Sequence, residues 1–411
     1  MKYTFRLNTI PRSLLNILVF GIIVLNSSYA LMTVDDTLAL ISLFILTLFL
    51  SFRALHEGAF RKVTPFTGIV FLFAAAHLFT MILKGETSTW GAYFRQLCLL
   101  LCAYCYIKTT PFDSFCKQYL QFLKLVSYAS LILFFYINVL DITEPFPIYV
   151  NTNNVTYLSI YLAFAQENAA FRCMGPFWEP AIFASFLIMG IILECCFVNR
   201  PTRWYNVILF SFMVFMTFST GGYVLLVVTY LIVLNQKSSW KISTFLNYFV
   251  LLSCFVLFFF FDDLIELLAI LIPSVFNKVT WQSVSMMTRL NNPLVDLIIW
   301  KKSPWVGVGI RSYQSEWLLE SAKYIIGSRT STLTYYPATI GLGGFLYPLM
   351  VYRCVMRQKN LSIVVRLSLL LIYVCILTKE PHYNSLFMLL FIMYFNTNKP
   401  ETSNHLERNA L

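Results

Sequence analysis

The side chains of this sequence best suited to chemistry are three arginines, a glutamate and a histidine. Arg172 and Glu179 belong to the stretch FRCMGPFWEP, directly ahead of the apolar run AIFASFLIMGII. Gly175-Pro176 imposes a rigid turn between them, and Pro180 suits the first turn of a helix. Arg289 and Arg311 lie farther along, in a long polar segment. A guanidinium presents a planar fork matched to phosphate, so three arginines converging on one site would suit a diphosphate. One alone would mean little, since an interfacial arginine can simply run its stem along lipid. Glu179 can serve as a general base, and it can equally complement the positive end of a helix. His382, in TKEPHYN beside Lys379 and Glu380, is the second base candidate; its plain alternative is a polar loop residue. His77 reads as a hydrogen-bonded histidine inside a helix bundle.

Other chemistries lack their signatures. There is no P-loop, HExxH, paired CxxC or GxSxG, and the GVG at Gly307 to Gly309 has neither the strand nor the third glycine of a dinucleotide site. Cys98, Cys102 and Cys105 share one helix face without a nearby histidine or carboxylate, so they read as buried thiols. No metal, cofactor or disulfide is expected.

The elements that must position these residues follow from composition. The chain is 58% hydrophobic and 12% charged, against about 45–50% and about 25% in soluble domains. That balance describes an all-α polytopic membrane protein. Segments of about 20 apolar residues span a bilayer, and about twelve are legible: 14–33, 37–52, 64–83, 93–107, 119–140, 181–198, 204–219, 222–235, 243–261, 337–352, 362–378 and 384–396. With the N-terminus inside, Arg53, Arg61, Lys62, Lys108, Lys117, Arg200, Arg203, Arg353, Arg357 and Lys359 are cytoplasmic, whereas the short outer segments hold only Lys84, Arg95, Arg172 and Lys379. This asymmetry places both termini in the cytoplasm. It also accounts for the net charge of +11 as topology, with no nucleic-acid partner. Ser28-Tyr29-Ala30 resembles a signal-peptidase site, but the first span is expected to be retained.

The whole of 1–411 thus reads as one membrane domain, with 262–336 as a long outer loop packed as a cap. Within that loop, Asn292-Pro293 reads as a helix cap and first residue, opening a helix to Lys302. A second helix is expected over 313–326, with Trp317, Leu318, Tyr324 and Ile325 opposite Glu316, Glu320 and Lys323. Both are amphipathic and suited to lie on the outer membrane surface. Between spans seven and eight, FSTGGY leaves almost no loop; its glycines are expected to make the turn and expose backbone N–H groups.

The order of these motifs resembles the Wzy-type polymerases of bacterial surface polysaccharides, in the O-antigen ligase and polymerase superfamily. The resemblance rests on Arg172, Gly175-Pro176 and Glu179-Pro180; on Ser219-Thr220-Gly221-Gly222, with Thr220 where the family shows arginine; on Arg289 and the PWVGVG turn; and on Gly341-Leu342-Gly343-Gly344. It covers about 140–350. The stretch SRTSTLTYYPAT lacks the histidine typical of the ligases. The resemblance implies a C-type glycosyltransferase-like fold in the bacterial inner membrane, with its site facing the periplasm. It implies polymerisation of undecaprenyl-diphosphate-linked oligosaccharide repeat units without metal or cofactor. Arg172, Arg289 and Arg311 would hold the diphosphate, with Glu179 or His382 as base. Lipid-linked oligosaccharides and membrane lipid are the implied partners, with room for a chain-length regulator protein. The competing readings are an O-antigen ligase acting on lipid A-core and, outside enzymes, a lipid-linked oligosaccharide flippase or transporter.

Overall fold

Residues 12–34, 36–61, 64–151, 154–198, 200–237, 249, 251–253, 283–324 and 329–397 are described by the structure, a computed structural model. Long apolar runs become helices because lipid offers backbone groups no hydrogen bonds, so they must pair within the segment. The first five are α1 (Arg12–Leu25), α2 (Asp36–His56), α3 (Pro65–Leu83), α4 (Trp90–Thr109) and α5 (Phe112–Asn138). Next come α6 (Pro180–Ile192), α7 (Trp204–Met216) and α8 (Thr220–Lys237). The later helices are α9 (Ser283–Lys302), α10 (Ile310–Ser321), α11 (Tyr335–Ile340), α12 (Leu346–Met356), α13 (Ile363–Lys379) and α14 (Leu386–Thr397). Local chemistry sets several starts. Thr64 forms a capping box with Thr67 ahead of Pro65, and Ser362 accepts the Val365 N–H.

Among the described residues five helices are long and apolar enough to cross a membrane: Thr37–His56, Pro65–Leu83, Phe112–Asn138, Pro180–Phe197 and Tyr335–Met356. Shorter apolar helices cover Leu14–Leu25, Trp204–Met216, Thr220–Asn235 and Leu386–Thr397. The expected span 243–261 lies almost wholly outside the described residues. Outward faces are apolar: Phe71 is 76% exposed and Ile82 71%. Water disfavours such faces and lipid accepts them, so this is a helical membrane protein. α6 is the opposite case, buried at every position from Pro180 to Ile192. α5, α7 and α8 pack around it, which makes its N-terminus a central and fixed point.

We call the end of the bundle that carries 141–180 the cap end. There the expected loop contains a three-stranded antiparallel sheet, a departure from an all-helical reading. β1 (Ile148–Val150), β2 (Thr156–Ser159) and β3 (Phe164–Gln166) lie in that order, with Tyr149 opposite Tyr157 and Leu158 opposite Ala165. Asn151 Oδ1 accepts the Val155 N–H at 2.9 Å, and Asn154 takes φ +57°, so two asparagines close the first turn. The segment 26–30 is tied down on two sides. Ala30 N–H bonds the Pro176 carbonyl (2.9 Å), and Trp178 N–H the Ser28 carbonyl (3.3 Å). Leu386 N–H bonds the Asn26 carbonyl (2.9 Å), and Phe387 N–H the Ser27 hydroxyl (3.0 Å). Ala30, in the signal-peptidase-like triplet, is 1% exposed.

The cap helices differ from expectation. α9, Ser283–Lys302, passes through Asn292-Pro293, so Asn292 is no helix cap. Pro293 forfeits one backbone hydrogen bond, but packing carries the helix through it. Val295 and Ile299 are fully buried, and Asn292 bonds Trp317 (3.1 Å) and Thr330 (3.2 Å). α10 starts at Ile310 and buries Tyr313, Trp317, Glu320 and Ser321, whereas Leu318 and Leu319 are exposed. Ile325 lies outside the described residues. The two glycine motifs of the cap pack against each other. Val308 and Gly309 N–H groups bond the Ala338 and Thr339 carbonyls (both 3.0 Å). Gly307, Gly309 and Gly341 have positive φ, and a Cβ on Gly307 would strike the Thr339 backbone. Their role is close backbone approach, as the absence of a nucleotide context suggests.

Candidate active site at the cap end

The FRCMGPFWEP entrance is rigid for identifiable reasons. Gly175 has φ +59°, and a Cβ there would lie 3.0 Å from the Phe183 ring. Its carbonyl accepts the Phe164 N–H at 2.7 Å, which joins the turn to β3. Arg172 then docks on the α7–α8 connection. Its Nε donates to the Thr217 carbonyl at 3.0 Å, while Cys173 N–H donates to the Met216 carbonyl at 2.9 Å. The side chain is half-buried, and its charge acts on Tyr223 at the start of α8.

The α7–α8 connection is as short as expected, but its glycines do not make the turn. Phe218 does, with φ +47°. The glycines provide space instead. A Cβ on Gly222 would lie 3.1 Å from the Ala184 Cβ, and one on Gly221 2.8 Å from Lys379 Nζ. Lys379, 2% exposed at the end of α13, donates to the Ser219 hydroxyl at 2.5 Å. Ser219 in turn accepts the Gly222 N–H at 3.3 Å. An ammonium group thus reaches the first turn of α8 from another helix.

Glu179 is the residue before α6, in extended conformation, and makes no side-chain capping hydrogen bond. Helix capping in the hydrogen-bonding sense is therefore not its role. Burial, and then the nearby Glu179 charge, push the Tyr157 hydroxyl up to about 12. Tyr157 itself donates to the Trp178 carbonyl at 3.2 Å.

His382 is 0% exposed, with its ring 5.8 Å from that of Phe186. Its backbone N–H donates to the Thr332 hydroxyl at 2.7 Å, but neither ring nitrogen has a hydrogen-bond partner. Burial pushes its pKa down to about 3, which makes a neutral ring and a weak base. His77, in α3, bonds the Phe73 carbonyl at 2.9 Å.

Arg311 sits in the first turn of α10. Its Nη1 donates to Ser88 at 2.8 Å. The buried Glu86 carboxylate accepts the backbone N–H groups of Arg311 and Ser312, each at 3.1 Å, and the Tyr93 hydroxyl at 2.9 Å. The N-terminus of α10 is thereby occupied by an internal anion. Arg289 lies on α9, and its side chain is outside the described residues.

Two cap residues escaped the sequence reading. Asp296 is 1% exposed and accepts the Tyr313 hydroxyl at 2.7 Å and the Thr334 hydroxyl at 2.5 Å. Burial holds its carboxyl up at about 7. Arg329 faces Tyr313 and Trp317 close by. An acid inside the apolar run PLVDLIIW was a usable signal for Asp296; nothing local marked Arg329. Among the described residues no three His, Cys, Asp or Glu side chains group as metal ligands. The cap end thus offers fixed cations around the α8 N-terminus and a carboxylate at the α6 entrance. No family model, curated protein or solved structure matches this chain.

Proposed function

We propose that this chain polymerises undecaprenyl-diphosphate-linked oligosaccharide repeat units into a bacterial surface polysaccharide. The proposal includes a C-type glycosyltransferase-like architecture of about twelve spans, inner-membrane location and a periplasm-facing cap end. The observation that carries it is the docking of Arg172 on the α7–α8 connection. It holds the Arg172 entrance against Met216 and Thr217, directly ahead of Ser219 to Gly222, and both stretches bear the family resemblance.

In this reading a hydroxyl of the incoming unit attacks the anomeric carbon of the growing chain. The anomeric C–O bond to the diphosphate breaks, and the leaving lipid diphosphate keeps the electron pair. Arg172 and Lys379 stabilise that charge, with Arg289 as a further ligand. Glu179 receives the hydroxyl proton. His382 is less suited to that task, being neutral, buried and weakly basic. Arg311, at the start of α10 and bonded to Ser88, is the third arginine proposed as a ligand.

The test is Arg172→Ala in the producing strain. Long polymer is expected to vanish, with protein level intact and single repeat units still attached to their acceptor. Normal-length chains would overturn the proposal. Loss of even single units would favour the ligase instead.

A further inference from the structure

Lys124 stands in the middle of α5, a helix long and apolar enough to cross a membrane. An ionisable side chain in such a helix is costly and normally finds an opposite charge. Lys124 finds an aromatic ring instead. Its Nζ lies 6.0 Å from the centre of the Tyr205 ring, at the start of α7. Arg203, the residue before α7, reaches the same tyrosine, and its Nη1 donates to the Tyr205 hydroxyl at 3.4 Å. Two cations, one from α5 and one from the approach to α7, therefore meet on one side chain. The neighbouring carboxylate, Glu194, is already occupied. It accepts both terminal nitrogens of Arg200 (2.6 and 2.8 Å), the Arg203 backbone N–H (2.9 Å) and the Asn206 amide (2.9 Å). Among the described residues neither the Lys124 nor the Arg203 side chain has an ion pair.

The surroundings select the missing anion. Leu125 and Tyr128 on α5, and Trp204 and Ile208 on α7, are exposed. The cations thus stand beside an outward apolar strip of the kind that lipid covers. α7 has 13 residues, about 20 Å of helix against about 30 Å of hydrocarbon. A stretch this short thins the bilayer around it, which brings headgroups toward its start. A soluble anion would use the cations alone. An anionic phospholipid uses cations and strip together, and the Tyr205 proton remains available to a phosphate oxygen. We infer that Lys124, Arg203 and Tyr205 bind the headgroup phosphate of an anionic phospholipid, with its acyl chains along Leu125, Tyr128 and Ile208. The Met216 end of α7 lies at the cap end, so this site is at the other end of the helix and does not rest on the proposed function.

The full chain in detergent micelles is mixed with phosphatidylglycerol, with phosphatidylcholine and with inorganic phosphate, and retained ligand is read by native mass spectrometry. Phosphatidylglycerol is expected to be retained in preference to phosphatidylcholine. Lys124→Gln and Arg203→Gln should each weaken its retention by about fivefold, as loss of one cation near a lipid surface does. The double variant should lose more. Lys124→Arg keeps the charge and should keep the lipid, which guards against an unstable Gln variant. Lys359→Gln, an exposed cation beyond α12, should retain lipid as the parent does. Equal retention of the two lipids, or full retention of phosphatidylglycerol by the double variant, overturns the inference. Inorganic phosphate that displaces phosphatidylglycerol at equal concentration overturns the lipid assignment and leaves a site for a soluble anion.

Discussion

The Lys379 ammonium lies 2.5 Å from the Ser219 hydroxyl, in the space left by the missing side chain of Gly221. A cation from α13 therefore stands at the first turn of α8, next to Thr220. In the proposed function this ammonium would face a substrate phosphate.

Gly221→Val tests that arrangement. The added carbons meet the flexible end of Lys379, which can swing away without unfolding the helices. Polymer yield is expected to fall by about tenfold, in line with one lost charge-assisted contact, with protein level retained. Unchanged polymer would remove Lys379 from the site.

Gly307→Ala should behave differently. There the new Cβ meets the Thr339 backbone, and φ is +78°. The left-handed conformation alone costs about 1–2 kcal/mol, and the backbone contact adds to it. Folded protein should be largely lost in thermal size-exclusion assays. Gly68→Ala, with nothing within 4 Å, should be neutral or stabilising by up to about 1 kcal/mol.

Asp296 and His382 should tilt stability in opposite directions. The folded protein keeps the Asp296 proton up to about pH 7, whereas the unfolded chain releases it near 3.8, so this group makes stability fall as pH rises between those values. The folded protein refuses a His382 proton until about pH 3, whereas the unfolded chain accepts one near 6.5, so this group makes stability rise across that interval. The two largely cancel where they overlap, each worth on the order of 4 kcal/mol in full. Relative to the parent, Asp296→Asn should gain stability with rising pH and His382→Phe should lose it. Thermal unfolding from pH 4.5 to 6.5 measures both; relative slopes of the same sign would contradict the assignment.

Glu86→Ala should destabilise by about 2–4 kcal/mol, because two backbone N–H groups and the Tyr93 hydroxyl lose their acceptor. Glu86→Gln keeps part of the acceptor capacity and should cost less. A thermal midpoint of Glu86→Ala within error of the parent would show that water replaces the carboxylate.

Much of this was legible where local chemistry and final environment agree. Apolar runs became helices, and Gly175-Pro176 with Glu179-Pro180 marked a rigid entrance because breakers act within a few residues. The glycine-rich turn was recognised but its mechanism was not: Phe218 supplies the positive φ, and the glycines make room for partners from α13 and α6. Asn292-Pro293 matched a helix start locally, but packing of Val295 and Ile299 carried α9 through it. Arg329 faces Tyr313 and Trp317 of α10, a tertiary contact with no periodic trace. Arg311 read as a diphosphate ligand, and only the fold reveals Glu86 beneath its backbone.

The segment 26–30 has a consequence for biogenesis. It leaves the ribosome early, yet it binds residues 176–178 from mid-chain and Leu386 and Phe387 from the start of α14. Helices inserted in order must hold this seam open until the C-terminal hairpin arrives. A chain stopped before α14 keeps the N-terminal seam unsealed, in a form that membrane quality control can distinguish from the finished protein.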